Sequence, residues 1–120
     1  MDSVAMRWVA ERRADLTTMV MSLTERIAGI QEASTWTTHD DEHDPEGVTV
    51  AFERAQVTGL LELARHELLE LDQAEARIRD GTYGQCQHCG RAVSRERLAA
   101  LPATTTCIRC AEHPRGRPAR

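Results

Sequence analysis

The sequence predicts a mainly α fold, an antiparallel coiled-coil helical hairpin followed by a small four-cysteine module. Three observations carry this. Apolar residues recur at alternating steps of three and four along two long stretches, and a short acid-rich segment separates them. The four cysteines, Cys86, Cys89, Cys107 and Cys110, stand in the pattern Cys-x2-Cys, seventeen residues, Cys-x2-Cys. With 120 residues, 41% hydrophobic but only 3% aromatic, the chain can fill one thin core of Ala, Leu, Val and Ile, as metal-stapled paired helices do.

The first stretch runs from about Val4 to Ala33, with a heptad through Met6, Val9, Arg13, Leu16, Val20, Leu23, Ile27 and Ile30. The second runs from about Pro45 to Asp80 through Val50, Arg54, Val57, Leu61, Ala64, Leu68, Leu71, Glu75 and Ile78, flanked by Leu60, Leu63 and Leu69. Each stripe must be covered, and each finds a partner of matching length in the same chain. The expectation is therefore a monomeric hairpin in preference to a dimer of extended helices. At about 1.5 Å per residue the second helix would be ~54 Å long. Gly59 interrupts it at a propensity cost of roughly 1 kcal/mol and is expected to let the partner helix approach closely.

Start and stop signals agree with these limits. Asp44 reads as an N-cap, Pro45 as the first helical residue and Glu46 as an acid in the first turn, where backbone N–H groups lack partners. Arg77 and Arg79 occupy the last turn, and Gly81 can take the left-handed conformation that ends a helix. Ser94 to Leu101 reads as a short capped helix stopped before Pro102, with Leu98 and Leu101 available to pack on the cysteine turns and Trp8 covering the same module. The chain thus divides into a hairpin over 1–82 with an acidic tip near 38–47, a four-cysteine finger over 83–112, and a disordered basic tail over 113–120.

Each Cys-x2-Cys pair can fold as a tight turn aiming two sulfurs at one point, and two such turns complete the tetrahedron of a closed structural zinc site. One Zn2+ on Cys86, Cys89, Cys107 and Cys110 is therefore expected, and the module reads as a C4 zinc finger. Gly90, directly after Cys89, suits such a turn. Disulfides would need an oxidising compartment, whereas Met1 to Val9 is mixed and charged, without the apolar centre of a secretory signal. An iron–sulfur cluster or a catalytic redox pair would be expected with flavin or thioredoxin-like patterns that are missing; a zinc-thiolate redox sensor uses the same four residues and stays open. His88 and His113 flank the cysteines, but four thiolates already fill the site. Such a site has no open position for a water, and neither a nucleophile elbow nor a phosphate loop is present, so no enzyme is expected.

The net charge of −4 hides a division. Residues 1–82 carry 8 Arg against 17 Asp and Glu, whereas residues 83–120 carry 7 Arg against 2 Glu. An acidic hairpin with a mildly basic end is a poor match to a nucleic-acid surface, which needs clustered positive charge, and a protein partner is the better expectation. No apolar stretch reaches membrane-span length, so neither a membrane partner nor a membrane location is expected, and the thiolates point to the cytoplasm. Between the helices, five acids fall in the seven residues Asp40 to Glu46. By itself this reads as a solvated acidic loop; it lacks calcium-loop spacing. His39 and His43 sit among those acids, and Trp36 either covers the end of the stripe or meets a partner.

Taken together, Gly84-Gln85-Cys86-Gln87-His88-Cys89-Gly90, Arg97-Leu98-Ala99-Ala100-Leu101-Pro102 and Cys107-Ile108-Arg109-Cys110, with Asp41-Glu42-His43-Asp44 upstream, resemble the DksA/TraR family of transcription regulators. The resemblance covers roughly residues 40–111 in motif and nearly the whole chain in architecture. It implies a protein that binds RNA polymerase and inserts its hairpin through the secondary channel toward the active centre. Asp41 and Asp44 match the family's Asp-x-x-Asp tip, and the zinc finger would brace and dock the base. The tip departs from the family pattern in having Pro45 and Glu46 after Asp44. The stretch His66 to Glu75 holds no Arg or Lys, so the resemblance does not extend to a site for guanosine tetraphosphate, and with few residues after Cys110 a further helix there is not expected. A zinc-stapled adaptor for some other protein, and the redox sensor, are the alternative functions.

Overall fold

A computed structural model describes residues 2–36 and 45–113, and the side chains of 2–32 and 47–113. The acidic segment containing Asp41 and Asp44 lies outside these residues, as do the N-cap role read for Asp44 and the disorder read for the tail beyond His113. The order of elements is α1 (Asp2–Trp36), α2 (Pro45–Asp80), α3 (Arg95–Ala100) and α4 (Ile108–Glu112). Among the described residues there is no strand, only an isolated antiparallel bridge between Gln85 and Ala92. No helix is long and apolar enough to cross a membrane.

The helices α1 and α2 form the expected antiparallel hairpin. Early residues of α1 meet late residues of α2, as in Arg12 with Glu67, and late residues of α1 meet early ones of α2, as in Arg26 with Glu53. Two compact units divide it, Met1–Ala14 with Glu67–Arg120, and Asp15–His66.

In the second unit the predicted stripes form the core. Leu23, Val57 and Leu61 are buried together, with Val20, Ile27 and Ile30 packed against them. Leu16 and Ala64 are buried as well. At about 25 cal/mol per Å² of apolar surface, covering one such leucine stabilises by roughly 1.5–3 kcal/mol, which is why the steps of three and four hold the helices together. Gly59 departs from its expectation. It faces open space, with nothing within 4 Å of where a Cβ would stand, so it brings no partner helix of the hairpin closer.

In the first unit, α1 contributes Ala5 and Val9 and α2 contributes Leu71, Ala74 and Ile78, all buried. Met6, the heptad residue expected inside, is 38% exposed and Ala5 takes its place. Eleven residues back from Leu16 complete just over three turns of about 3.6 residues and return almost to the same face, whereas the ten back to Met6 fall short of three turns. The polar heptad positions pair: Arg13 Nη1 donates to Asp72 Oδ1 at 2.8 Å, and Arg13 Nη2 lies 2.8 Å from Glu75 Oε2. Beside them Arg12 donates to both oxygens of Glu67, from Nε at 2.7 Å and Nη2 at 2.8 Å. That two-point geometry is the favourable one for guanidinium and carboxylate.

The end of α2 follows its sequence signal closely. Gly81 has φ 84°, the Thr82 N–H donates to the Arg77 carbonyl at 2.9 Å, and the Gly81 N–H donates to the Ile78 carbonyl at 3.3 Å. This pair of bonds satisfies carbonyls that the helix leaves open and turns the chain into the cysteine module.

Two measurements test this account. Gly29 lies inside α1 with nothing within 4 Å of its missing Cβ, so Gly29→Ala should raise stability by about 0.5–1 kcal/mol in urea denaturation. The Arg12 guanidinium holds the Glu67 carboxyl below its ordinary value, against desolvation, which raises it. A carboxylate lowered in the folded state contributes stability above its unfolded value and loses it as pH falls through the folded one. Stability of the hairpin should therefore decline below the ordinary glutamate range, and Glu67→Gln should flatten that decline at a cost of about 1 kcal/mol or less at neutral pH.

Candidate metal centre

The first Cys-x2-Cys pair is built on a small hairpin turn. The Cys86 N–H donates to the Arg91 carbonyl at 2.8 Å, the Gly90 N–H to the Cys86 carbonyl at 2.9 Å, and the Val93 N–H to the Gly84 carbonyl at 2.8 Å. Gly84 and Gly90 have φ of 86° and 78°, a region that residues with a Cβ seldom enter. At Gly84 a Cβ would also stand 3.4 Å from Leu98 Cδ1. The second pair is not a free turn: Cys107 is the N-cap of α4, and Cys110 lies on that helix. A helix that includes Cys110 had no signal in the apolar pattern, because five residues are too few to show a period.

Hydrogen bonds join the halves. The Gln87 N–H donates to the Thr105 carbonyl at 2.8 Å. From α3, Arg97 Nε donates to the Thr106 carbonyl at 2.8 Å, and Tyr83 Oη donates to the Pro102 carbonyl at 2.9 Å. Ser94 caps α3 as expected, its hydroxyl accepting from the Arg97 N–H at 3.1 Å. Arg97 is the supporting residue that sequence reading missed; nothing local in the chain signals a bond to a carbonyl nine residues on.

A small apolar core lies beneath. Cys86, Val93 and Leu98 are buried together, with Trp8, Tyr83, Cys107 and Cys110 packed on them. Trp8 thus covers the module as predicted, and the Arg95 guanidinium lies 5.5 Å from its ring centre, within cation–π range. Leu101, expected inside, is 47% exposed, and Pro102 is buried instead. The helix ends at Ala100, so the backbone at Leu101 leaves the helical course that would have carried its side chain onto the turns.

All four cysteine sulfurs converge within 4.8 Å of one another. Cys89 and Cys107 sulfurs are 3.8 Å apart, far beyond a disulfide and close to the ~3.8 Å edge of a tetrahedron with Zn–S bonds of about 2.3 Å. Neither His88 nor His113 joins the cluster; His88 contributes its backbone N–H, 3.4 Å from Cys86 Sγ. Burial raises the Cys86 thiol, but N–H groups of Cys89, Cys107 and His88 outweigh it and bring it down to about 6. The backbone N–H of Cys110 lowers Cys107, against desolvation. Cys110 is pushed up to about 12, first by desolvation and then by sulfurs of Cys107, Cys86 and Cys89. The cluster begins to ionise readily and resists completing the process, because each further thiolate faces like charge. A divalent cation supplies the missing compensation.

A helical hairpin carrying a closed four-thiolate site defines a C4 zinc-finger protein with one structural Zn2+. The comparisons give the type of finger: residues 81–113 match the family model of the prokaryotic dksA/traR C4-type zinc finger, and the chain carries a finger of that type. The chain is 47% identical over 45 residues to an uncharacterized protein of Aquifex aeolicus (strain VF5), covering 38% of this chain and 31% of that one. It is 35% identical over 66 residues to the protein YteA of Bacillus subtilis (strain 168), covering 55% and 28%, and 34% identical over 62 residues to general stress protein 16O of the same organism, covering 52% and 38%. The matches therefore span only about a third of those relatives' own lengths. In three dimensions the chain resembles the transcription factor DksA2 from Pseudomonas aeruginosa, with a TM-score of 0.73, 20% identity, and coverage of 94% of this chain and 81% of that one.

Because structural zinc at such sites contributes an apparent ~10–16 kcal/mol that is also folding energy, Cys107→Ser should release the metal and unfold residues 83–111. Limited proteolysis with a zinc assay checks this, and retained protease resistance in the variant would contradict it.

Proposed function

We propose that the protein is a transcription regulator that binds RNA polymerase and acts by contact, without covalent chemistry of its own. The observation that carries this reading is the likeness of its hairpin and finger to the transcription factor DksA2 over 94% of the chain, joined to a finger of the DksA/TraR type. In this reading residues 38–47 form the hairpin tip, which passes through the secondary channel toward the active centre. Asp41 and Asp44 then act on basic or metal-associated groups there, where low dielectric strengthens charge interactions. Residues 83–112, with Cys86, Cys89, Cys107 and Cys110 on one Zn2+, dock the base, and 113–120 form a basic tail. The partner is a protein, so sequence-specific contact with nucleic acid has no part, and a polymerase partner places the chain in the cytoplasm.

The chain should co-purify with core RNA polymerase. The double substitution Asp41→Asn with Asp44→Asn should leave that association in place and reduce the effect on promoter-complex lifetime several-fold. An unchanged effect would remove the tip from the mechanism. Failure to co-purify would favour an adaptor for another protein.

A further inference from the structure

The backbone just ahead of Cys107 is held at two consecutive carbonyls by two different parts of the finger. The Gln87 N–H, between Cys86 and Cys89, donates to the Thr105 carbonyl at 2.8 Å, and Arg97 Nε, from α3, donates to the Thr106 carbonyl at 2.8 Å. The peptide joining Thr106 to Cys107 is a rigid plane, so a bond to its oxygen also fixes the line along which the Cys107 Cα leaves. Cys107 caps α4 without a side-chain hydrogen bond, and that five-residue helix is far below the length at which a helix stands alone. The orientation of the second cysteine pair therefore rests on what grips residues 105 and 106.

We infer that Arg97 is a positioning residue for the metal: it touches no ligand sulfur, yet by presetting Cys107 it decides how tightly the four thiolates hold Zn2+. One planar guanidinium supplies both of its contacts, Nε to the Thr106 carbonyl and Nη2 to Thr104 Oγ1 at 3.4 Å. The Thr104 hydroxyl in turn donates to the Thr106 carbonyl at 3.3 Å and accepts from the Thr106 N–H at 3.5 Å, which closes a small network around the residue before Cys107. Arg97 is itself pinned in α3, its N–H donating to Ser94 Oγ at 3.1 Å and its carbonyl accepting from the Leu101 N–H at 2.7 Å. A ligand placed before the ion arrives loses less freedom on binding. Bonds that orient ligands from outside in this way typically carry about 10–100-fold in metal affinity. The neighbouring Arg95 has the same charge on the same helix but lies over the Trp8 ring, so it separates the effect of the bond from that of the charge.

Chelator competition with the full, reduced, Zn2+-loaded chain tests this, with the visible absorption of the Co2+-loaded chain as a second readout. Arg97→Met should lower Zn2+ affinity by about tenfold or more and shift and weaken the Co2+ bands that report a tetrahedral thiolate site. Arg97→Lys keeps the charge but lacks the planar pair of donors, and should recover only part of the loss. Arg95→Met should leave Zn2+ affinity within about twofold and the Co2+ bands in place. Thr104→Val should cost less than Arg97→Met, and the variant with both changes should lose little more than Arg97→Met alone, since both act through the Thr106 carbonyl. Four outcomes would overturn the inference: Zn2+ affinity of Arg97→Met within about twofold of the unsubstituted chain, an equal loss in Arg95→Met, full recovery in Arg97→Lys, or losses from Arg97→Met and Thr104→Val that simply multiply. Should Arg97→Met fail to fold, unchanged affinity and unchanged Co2+ bands in Thr104→Val would overturn it as well.

Discussion

Four sulfurs held within 4.8 Å of one another repel when ionised and contribute little when protonated; a divalent cation at their centre makes the same cluster the element on which residues 81–113 depend. The apolar core around it is only Cys86, Val93 and Leu98 with a few partly buried neighbours, too little to fold so short a segment alone. The metal supplies what the core lacks. The two cysteine pairs reach that centre from different local structures, a hairpin turn and a helix start. Each delivers two sulfurs from its own direction.

The finger is also tied to the hairpin by chemistry that is not metallic. The two-bond helix ending at Gly81 fixes where the chain leaves α2, and Trp8 from α1 lies on the finger core under the Arg95 guanidinium. The Arg97 bond to the Thr106 carbonyl holds the segment leading into Cys107. These contacts make the geometry of the thiolates partly a property of the protein and not only of the ion, which agrees with the direction of the Cys86 and Cys107 shifts.

Much of this was legible in the chain. The Cys-x2-Cys spacing, the terminating Gly81, the capping Ser94, the inner stripes and the role of Trp8 are local or periodic signals, and such signals survive without knowledge of distant contacts. The misses lie where one residue decides the face. A strict seven-residue count drifts against a helix of about 3.6 residues per turn, so Met6 was expected where Ala5 is buried. At the end of α3 the chain leaves its helical course, and Pro102 replaces Leu101 inside. Gly59 was expected against the partner helix because a helical glycine suggests close approach, and the pattern alone did not say on which side. The link from Arg97 to Thr106 joins separate elements, and no local spacing encodes it.

Arginine at position 13 interrupts an otherwise apolar row, and its two carboxylate partners give that interruption a meaning for how the helices are counted against each other. If α2 slid along α1 by one heptad, the place of Asp72 would be taken by Arg65 in one direction and by Arg79 in the other. The place of Glu75 would be taken by Leu68 or Thr82, and that of Glu67 by Leu60 or Ala74. Either slid frame still brings apolar residues together but sets cation against cation and leaves two guanidinium groups facing uncharged side chains. The hairpin therefore carries a vernier: leucine and valine make the helices adhere, and one arginine with its acids favours the observed alignment by the modest amount that partly exposed ion pairs supply.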